Sequence, residues 1–388
     1  MTEPRRLRGH NAAATCCIAS RVRPGLVATA AEDGFVCWYD LRCKDMLFTM
    51  DVGDGNPVSS LCFKPASWKQ LESYNYNKDE INQIACHPKS SFLAAADDAG
   101  DVKVIDVHQK CLYKTLRAGH ESVSCPILKI VTSSPDHFIF MLTLLTLNST
   151  KICSSVQFLP WRSWEVITGG LDSKLVMWDF SKGRPNKIMD FGIGAFCCAL
   201  ILCSGGGDAA QCCNPAFVHA LVVPDLDIVD KVGKICVAAR GDGVVNIINI
   251  DSELAALKSK ISTKPKQNTK SISKSRSPTS DSQSSDRNDK NLNLDYSMGG
   301  HVSAVSSVAF SMFGEKGKFI ISGGNDKSVK VWDWSKAYDA GRTSNGDDLL
   351  CCNISLRKKV NWLCTTTSDS ENLVVCDTSK VVKVYTIG

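Results

Sequence analysis

Residues 321–334 read ISGGNDKSVKVWDW, and residues 167–180 repeat the same pattern as ITGGLDSKLVMWDF. Each copy has a hydroxyl residue, an Asp in a tight turn, and an alternating apolar strand that ends in Trp-Asp. Two more copies keep this order, ATAAEDGFVCWYDL at 28–41 and VAARGDGVVNIINI at 237–250. In all four copies, six positions separate the turn Asp from the strand-end residue. A β-rich run, a turn and a second run of period two predict two antiparallel strands in each copy.

Looser copies of the pattern extend it over the rest of the chain. LAAADDAGDVKVID occupies 93–106, and LVVCDTSKVVKVYT occupies 373–386. A Gly-His pair stands ahead of three of the copies, with its histidine at His10, His120 and His301. The chain is therefore organised as internal repeats of one strand-rich unit.

The combination of Gly-His, turn Asp and Trp-Asp at one spacing resembles the WD-repeat family, over nearly the whole chain. This resemblance implies an all-β propeller with four strands in each blade. It also implies a buried hydrogen-bonded chain in each blade, which joins the His, the strand hydroxyl, the turn Asp and the strand-end indole in a structural role. The residues carried over are His301, Ser322, Asp326 and Trp332 in blade six, Thr168, Asp172 and Trp178 in blade four, and His10, Thr29 and Asp33 in blade one.

The number of blades follows from a repeat length of about 40–45 residues. The turn residues Asp33 and Asp98 are 65 positions apart, which is enough for two blades only if one of them is short. Between them, NPVSSLCFKP at 56–65 has the pattern of an inner strand, but no Trp-Asp strand follows it. We therefore predict a single seven-bladed WD-repeat propeller over residues 1–388, with a degenerate second blade and long insertions between blades.

Two insertions stand out. Residues 121–150 contain an apolar run that matches no blade position, and we expect an atypical insertion in blade four. Either it packs on the rim of the propeller, or a splicing or gene-model difference brings it into the chain together with the short second blade. Residues 252–299 are rich in Ser, Lys and Asn, so we expect a disordered basic loop between blades five and six.

The charge distribution bears on nucleic-acid binding. The chain has a net charge of +5, yet residues 258–291 alone contain nine Lys or Arg and three Asp. The rest of the chain is therefore close to neutral, and direct binding of nucleic acid by the folded part is not expected.

The termini and several short stretches carry narrower predictions. Residues 5–8 precede blade one in the position of an outer strand, so we expect them to pair with residues 381–385 and close the ring. Other stretches resemble one seven-bladed group within the WD-repeat family: ICSSVQFLP, NPAFVHA, KVNWL and the terminal VYTIG.

Composition and motifs exclude several classes of protein. Apolar residues make up 44% of the chain, which excludes global disorder. No apolar run reaches the roughly 20 residues of a membrane span, and no signal peptide is recognised. The 19 cysteines include no C-x-x-C pair, so we expect thiols in a reducing compartment, cytoplasm or nucleus, and no metal or cofactor. No catalytic motif is present, and we expect no enzyme activity.

One motif points to a partner. Tyr39, Asp40 and Arg42 resemble the aromatic-Asp-x-Arg box with which WD-repeat substrate receptors dock on the damaged-DNA-binding adaptor of cullin-4-type ubiquitin ligases. Such a site needs an exposed Arg, whose planar fork pairs with carboxylate or carbonyl groups. The corresponding residues of other blades are different: His108, Ser181, Asp251 and Ser335. The alternative function is a general scaffold or chromatin-linked reader without ligase contact.

Overall fold

The computed structural model describes residues 3–43, 45–52, 55–63, 73–117, 151–192, 214–262, 291–339 and 349–388. Within these residues, the strands form six antiparallel four-stranded sheets. Each sheet corresponds to one predicted blade and is numbered as that blade. The name blade two is kept for residues 56–80, which lie between blades one and three.

The first three sheets follow the short strand β1 (Arg5–Leu7). Blade one contains β2 (Ala14–Ala19), β3 (Leu26–Ala31), β4 (Phe35–Asp40) and β5 (Met46–Asp51). Blade three contains β6 (Ile81–Cys86), β7 (Phe92–Asp97), β8 (Val102–Asp106) and β9 (Cys111–Leu116). Blade four contains β10 (Cys153–Phe158), β11 (Glu165–Gly170), β12 (Lys174–Asp179) and β13 (Arg184–Asp190).

The remaining sheets carry the helices between their strands. Blade five contains β14 (Val218–Val222), β15 (Ile235–Arg240), β16 (Val245–Asn249) and β17 (Leu292–Leu294). Blade six contains β18 (Val305–Phe310), β19 (Phe319–Gly324), β20 (Ser328–Asp333) and β21 (Leu350–Ser355). Blade seven contains β22 (Val360–Thr365), β23 (Leu373–Asp377) and β24 (Val382–Tyr385). The helices are α1 (Val229–Val232), α2 (Ile250–Ser262), α3 (Lys336–Asp339) and a 3₁₀ turn at Tyr296–Met298.

The core lies between neighbouring blades. Clusters of buried apolar side chains join blades one and seven, three and four, four and five, five and six, and six and seven. Trp178 and Trp332 are among the largest fully buried side chains. An aromatic side chain buries about 150–250 Å² on folding, so these two residues contribute strongly to the packing of their blades. The second and third strands of blades four and six are buried on both faces, which explains their nearly continuous apolar sequences.

The ring closes through the N-terminal strand, as predicted. β1 pairs antiparallel with β24, with Arg5 opposite Val384 and Leu7 opposite Val382. Leu7 is 3% exposed, and the Arg5 guanidinium lies 2.8 Å from the Glu371 carboxylate. The first residues of the chain thus provide the fourth strand of the last blade.

The predicted second blade has no strand among the described residues, so the count of seven four-stranded blades is not confirmed. Residues 58–63 nevertheless pack as an innermost segment. Their apolar side chains join the buried cluster of blade one, and Cys62 Sγ lies 2.6 Å from Cys86 Sγ of β6. Blade two is therefore reduced, in the described residues, to its inner segment.

A repeated hydrogen bond supports this position. In the inner strands of blades three, four, six and seven, the second residue donates a side-chain hydrogen bond to the carbonyl of the first residue of the next blade. Asn82 does so to Cys153 at 3.1 Å, and Asn361 does so to Ala14 at 2.8 Å. The same bond leads into and out of residues 58–63, from Thr15 to the Val58 carbonyl and from Ser59 to the Ile81 carbonyl.

The prediction of a disordered loop over residues 252–299 is wrong at both ends of that range, where the structure has a helix and a strand. Helix α2 occupies its beginning, where Leu, Ala and Lys are good helix formers and two acidic residues stand in the first turn. Asp251 of that helix pairs with Arg162 at 2.9 Å. At the other end, β17 is the outer strand of blade five. Residues 263–290, like the predicted insertion at 121–150, lie outside the described residues.

Candidate functional site

The predicted structural network is complete in blade six. Trp332 Nε1 donates to Ser322 Oγ at 3.0 Å, and His301 Nε2 lies 2.8 Å from the same hydroxyl. His301 Nδ1 is 3.0 Å from the Asp326 carboxylate. All four groups lie inside the blade and connect the strands β19 and β20 and the turn between them with the segment before β18, which is a structural role.

Blades four and one contain partial versions of this network. In blade four, Trp178 Nε1 donates to Thr168 Oγ1 at 2.9 Å, and Asp172 accepts the backbone N–H of Lys174. The predicted histidine of that blade, His120, lies outside the described residues.

In blade one, His10 Nε2 lies 2.7 Å from Thr29 Oγ1, and His10 Nδ1 lies 3.4 Å from Asp33. Tyr39 takes the place of the indole, but its hydroxyl donates to the Arg8 carbonyl at 3.2 Å. The network of blade one therefore reaches the segment that follows β1.

The candidate partner site lies where β4 ends. Arg42 extends from the rim with 76% of its side chain exposed, and its guanidinium makes a bidentate ion pair with Asp40. The Arg42 hydrogen bonds lower the pKa of Asp40 to about 2, so this carboxylate is ionised at neutral pH. Asp40 also accepts the backbone N–H of Arg42, which fixes the turn.

Tyr39 does not belong to that surface. Its side chain is 2% exposed and packs in the cluster between blades one and seven. The expected contact of Tyr39 with a partner is therefore wrong for its side chain, because successive residues of a strand face opposite sides of the sheet. Asp40 and Arg42 are the members of the predicted box that the structure places together at the surface.

An exposed apolar surface on the outer strand β5 was not predicted from the sequence. It centres on Phe48, on the same face as Trp38, and further exposed apolar side chains on and after β5 are Met46, Leu47 and Val52, with 36–49% of each of the four accessible. Phe48 stacks on Trp38 with ring centroids 5.5 Å apart. The signal was present in MLFTMDV at 46–52, an apolar run in an outer strand where water-facing residues are the rule.

Trp38, on which Phe48 stacks, is more exposed than its counterparts in other blades. The position of Trp38 is held in other blades by Met177, Ile247 and Val331, which are 0–1% exposed. Met177 and Val331 pack on the inner strand of the following blade. Trp38 contacts Phe63 at 5.7 Å between centroids and remains partly exposed, since among the described residues of blade two it is the inner segment that packs against it.

The described residues contain no candidate cluster of metal ligands. No group of three or more His, Cys, Asp or Glu side chains in this part of the chain is arranged to hold a metal ion. Among the helices that the structure describes, none combines the length and apolar character needed to cross a membrane.

Comparison with known proteins bears on the fold. The model of the family "WD domain, G-beta repeat" matches residues 293–333, which contain the complete network of blade six. The resemblance to the WD-repeat family is confirmed.

One similar protein points to a particular group within the WD-repeat family. The WD repeat-containing protein 53 homolog of Dictyostelium discoideum is 25% identical over 191 residues, 43% of this chain and 44% of that protein. The match therefore covers less than half the length of that relative. WD repeat-containing protein 53 is the seven-bladed group whose stretches this sequence resembles.

A solved structure agrees with the fold. The WD40 β-propeller domain of Doa1 superposes with a TM-score of 0.58 at 12% identity, and covers 100% of this chain and 97% of that one. At this identity, the likeness bears on the fold alone. WD-repeat propellers generally serve as non-enzymatic scaffolds that bind other proteins.

Proposed function

We propose that this protein is a non-enzymatic substrate receptor, which docks on the damaged-DNA-binding adaptor of a cullin-4-type ubiquitin ligase through Asp40 and Arg42. The observation that carries the proposal is the exposure of Arg42 at the rim, beside a carboxylate that sets its orientation. A guanidinium held in this way presents its remaining N–H donors to a carboxylate or carbonyl of a partner.

The apolar surface on β5 supports a protein partner. Stable interfaces have an apolar centre and a polar rim, and an anchoring Arg on the same blade as exposed aromatic and aliphatic side chains fits that composition. Phe48 lies on β5, the outer strand of blade one and the strand that follows Arg42 in the chain, so both residues belong to the outer part of this blade.

The test is recovery of the purified adaptor by immobilised protein. We expect Arg42→Ala to reduce recovery at least tenfold, because removing an interface anchor costs about 2 kcal/mol or more. Lys182→Ala is the matched control, since Lys182 pairs with Asp179 at the end of β12 as Arg42 pairs with Asp40 at the end of β4.

The same experiment distinguishes the proposed substrate receptor from the second candidate function. Equal recovery with Arg42→Ala and Lys182→Ala, or no recovery with the unmodified protein, contradicts docking through the box. The protein is then better described as a general scaffold or chromatin-linked reader without ligase contact. Reduced recovery with Phe48→Ser as well as with Arg42→Ala assigns the apolar surface to the same interface.

A further inference from the structure

A second candidate site lies on blade six, away from the rim of blade one. A cavity of about 330 Å³ opens between the turn that precedes β20, the strand β21 and the segment before β18. Its lining includes Val302, Asp326, Lys330 and Asn353. The cavity therefore combines an ammonium, a carboxylate, an amide and an apolar side chain.

Lys330 is the unusual member of this group. It is 6% exposed, yet within the described residues its ammonium has no hydrogen-bond partner and no carboxylate within 4 Å. Lysines stand in the same register in blades three and seven, and each pairs with an acid of its own blade. Lys103 lies 2.7 Å from Asp101, and Lys383 pairs with Asp377. Buried charges are costly unless they are paired, so Lys330 lacks the compensation that its two counterparts have.

Asp326 attracts the Lys330 ammonium through space but makes no direct ion pair with it, because its carboxylate oxygens already accept other hydrogen bonds. It accepts hydrogen bonds from His301 at 3.0 Å, from the backbone N–H of Val302 at 3.2 Å, and from Ser328 through both N–H and hydroxyl. Burial would raise the pKa of Asp326, but the bonds from His301 and Ser328 outweigh it and the pKa lies below its usual value. The complete network of blade six thus uses the acid that the neighbouring lysine would otherwise bind.

The surroundings of the cavity are basic. Lys327 is exposed and lines it, and three more exposed cations follow Leu356 in the chain: Arg357, Lys358 and Lys359. In the part of the chain that the structure describes, none of these four side chains makes an ion pair. The backbone N–H of Leu356 donates to the Lys327 carbonyl at 2.7 Å, which keeps this basic segment next to the cavity. The field at the entrance therefore attracts anions.

An apolar edge distinguishes the cavity from a phosphate-backbone groove. Val302 is 50% exposed at its entrance, and Leu356 also lines it. The described lining contains no aromatic side chain on which a base could stack. One deep ammonium beside aliphatic side chains fits a single anionic group with apolar neighbours, as a peptide presents it.

We propose that this cavity binds an anionic side chain of a partner peptide, a carboxylate or a phosphate monoester, which accepts a hydrogen bond from Lys330. Asn353 lies opposite Lys330 on β21 and is placed to donate its amide to the same anion. Burial lowers the pKa of Lys330 while Asp326 opposes the shift, and an anion in the cavity stabilises the protonated ammonium. The site is independent of Arg42 and of the proposed adaptor.

The test uses degenerate seven-residue peptide libraries whose central residue is fixed as Glu, phosphoserine or Gln. We expect immobilised protein to retain the Glu or phosphoserine library at least tenfold above the Gln library, and the better of the two identifies the source of the anion. Lys330→Gln removes the ammonium and should abolish this preference. Lys103→Gln, at the same register in blade three, should keep it.

A second variant guards against misfolding of Lys330→Gln. Asn353→Asp lies on an exposed position and places a carboxylate opposite Lys330, so it should remove the preference while the thermal melting curve stays close to that of the unmodified protein. Equal retention of the three libraries, or an unchanged preference in Lys330→Gln and Asn353→Asp, overturns the proposal. Retention of a 12-nucleotide oligo-dT that depends on Lys330 and exceeds that of every peptide library overturns it in favour of nucleic acid.

Discussion

Blade one and blade six contain the same chain of polar groups, but the two chains end on different parts of the molecule. In blade six, the strand-end residue Trp332 donates to Ser322, so the chain begins and ends inside one blade. In blade one, Tyr39 occupies the same position and donates to the Arg8 carbonyl instead. The substitution of an indole by a phenol therefore transfers one hydrogen bond from the blade to the N-terminal segment.

This difference has a structural consequence. Residues 5–7 complete blade seven, and the Arg5 guanidinium also donates to the carbonyls of Leu41 and Cys43 beyond β4. Blade one thus depends on the segment that closes the ring, whereas blade six is stabilised by its own residues. In blade six, the complete network takes up the hydrogen-bonding oxygens of Asp326, the acid that lines the cavity together with Lys330.

Removal of residues 1–8 should have the largest effect on this comparison. It removes three residue pairs with β24, at about 0.5–1.5 kcal/mol for each hydrogen bond, and the burial of Leu7, about 1.5–3 kcal/mol. We expect the free energy of unfolding in urea to fall by about 3–7 kcal/mol. Arg6→Ala, on the exposed face of β1, is the control and should change it by less than about 0.5 kcal/mol. Equal unfolding midpoints for the shortened and full-length chains would show that the terminus does not hold the ring closed.

Substitutions of Trp332 and Tyr39 should lower the free energy of unfolding by different amounts, and only the effect at Tyr39 should depend on the N-terminal segment. Trp332→Phe removes a buried donor and part of a fully buried ring, and should cost about 2–3 kcal/mol. Tyr39→Phe removes one hydroxyl and should cost about 0.5–1.5 kcal/mol. Urea unfolding of both variants, in the full chain and in the chain without residues 1–8, measures the coupling. The cost of Tyr39→Phe should disappear in the shortened chain, and that of Trp332→Phe should remain; a Tyr39→Phe cost that persists there places its partner elsewhere.

The sequence predicts the blades well because the repeated residues act within short stretches of chain. The period-two strands, the turn Asp and the strand-end aromatic contact each other across one hairpin, so the pattern of residues 321–334 contains the geometry of its own blade. Ring closure was predictable for a similar reason, since four-stranded blades leave one outer position empty.

The contacts between distant segments were not predictable. Whether Tyr39 faces a partner or the core depends on which face of β4 packs against blade seven, and the sequence of blade one alone does not determine this. The unpaired state of Lys330 depends on how many donors converge on Asp326. The exposure of Phe48 depends on how much of the neighbouring blade packs against blade one, although the apolar composition of its strand was visible in the sequence.

The smallest effects should appear in the dependence of stability on pH, and the two blades should respond in different ranges. In blade one, burial lowers the pKa of His10 from its ordinary value of 6.5, while Asp33 opposes the shift. The folded state then binds this proton less tightly than the unfolded chain, so stability is lost as the pH falls below about 6.5. In blade six, the pKa of Asp326 is lowered from 3.8, so its contribution is complete above that value and is lost as the pH falls through the folded pKa.

The measurement is the free energy of unfolding in urea, taken from pH 7.5 to 5 and again from pH 4.5 to 2.5. His10→Gln removes one titrating imidazole, and we expect it to reduce the slope of the first range, where His87 and His219, whose pKa values burial also lowers, keep a remainder. In the second range it should change the slope only through Asp33, which loses the interaction with His10 that lowers its pKa. Asp326→Asn should instead reduce the slope of the second range, because it removes a carboxylate whose hydrogen bonds to His301 and Ser328 favour the ionised form. The control is Asp230→Asn, an acid of α1 outside both networks. The stability of His10→Gln could instead depend on pH as steeply in the first range as that of the unmodified protein. This outcome would contradict the contribution of blade one to that range, because the variant has no imidazole between Thr29 and Asp33 to take up a proton.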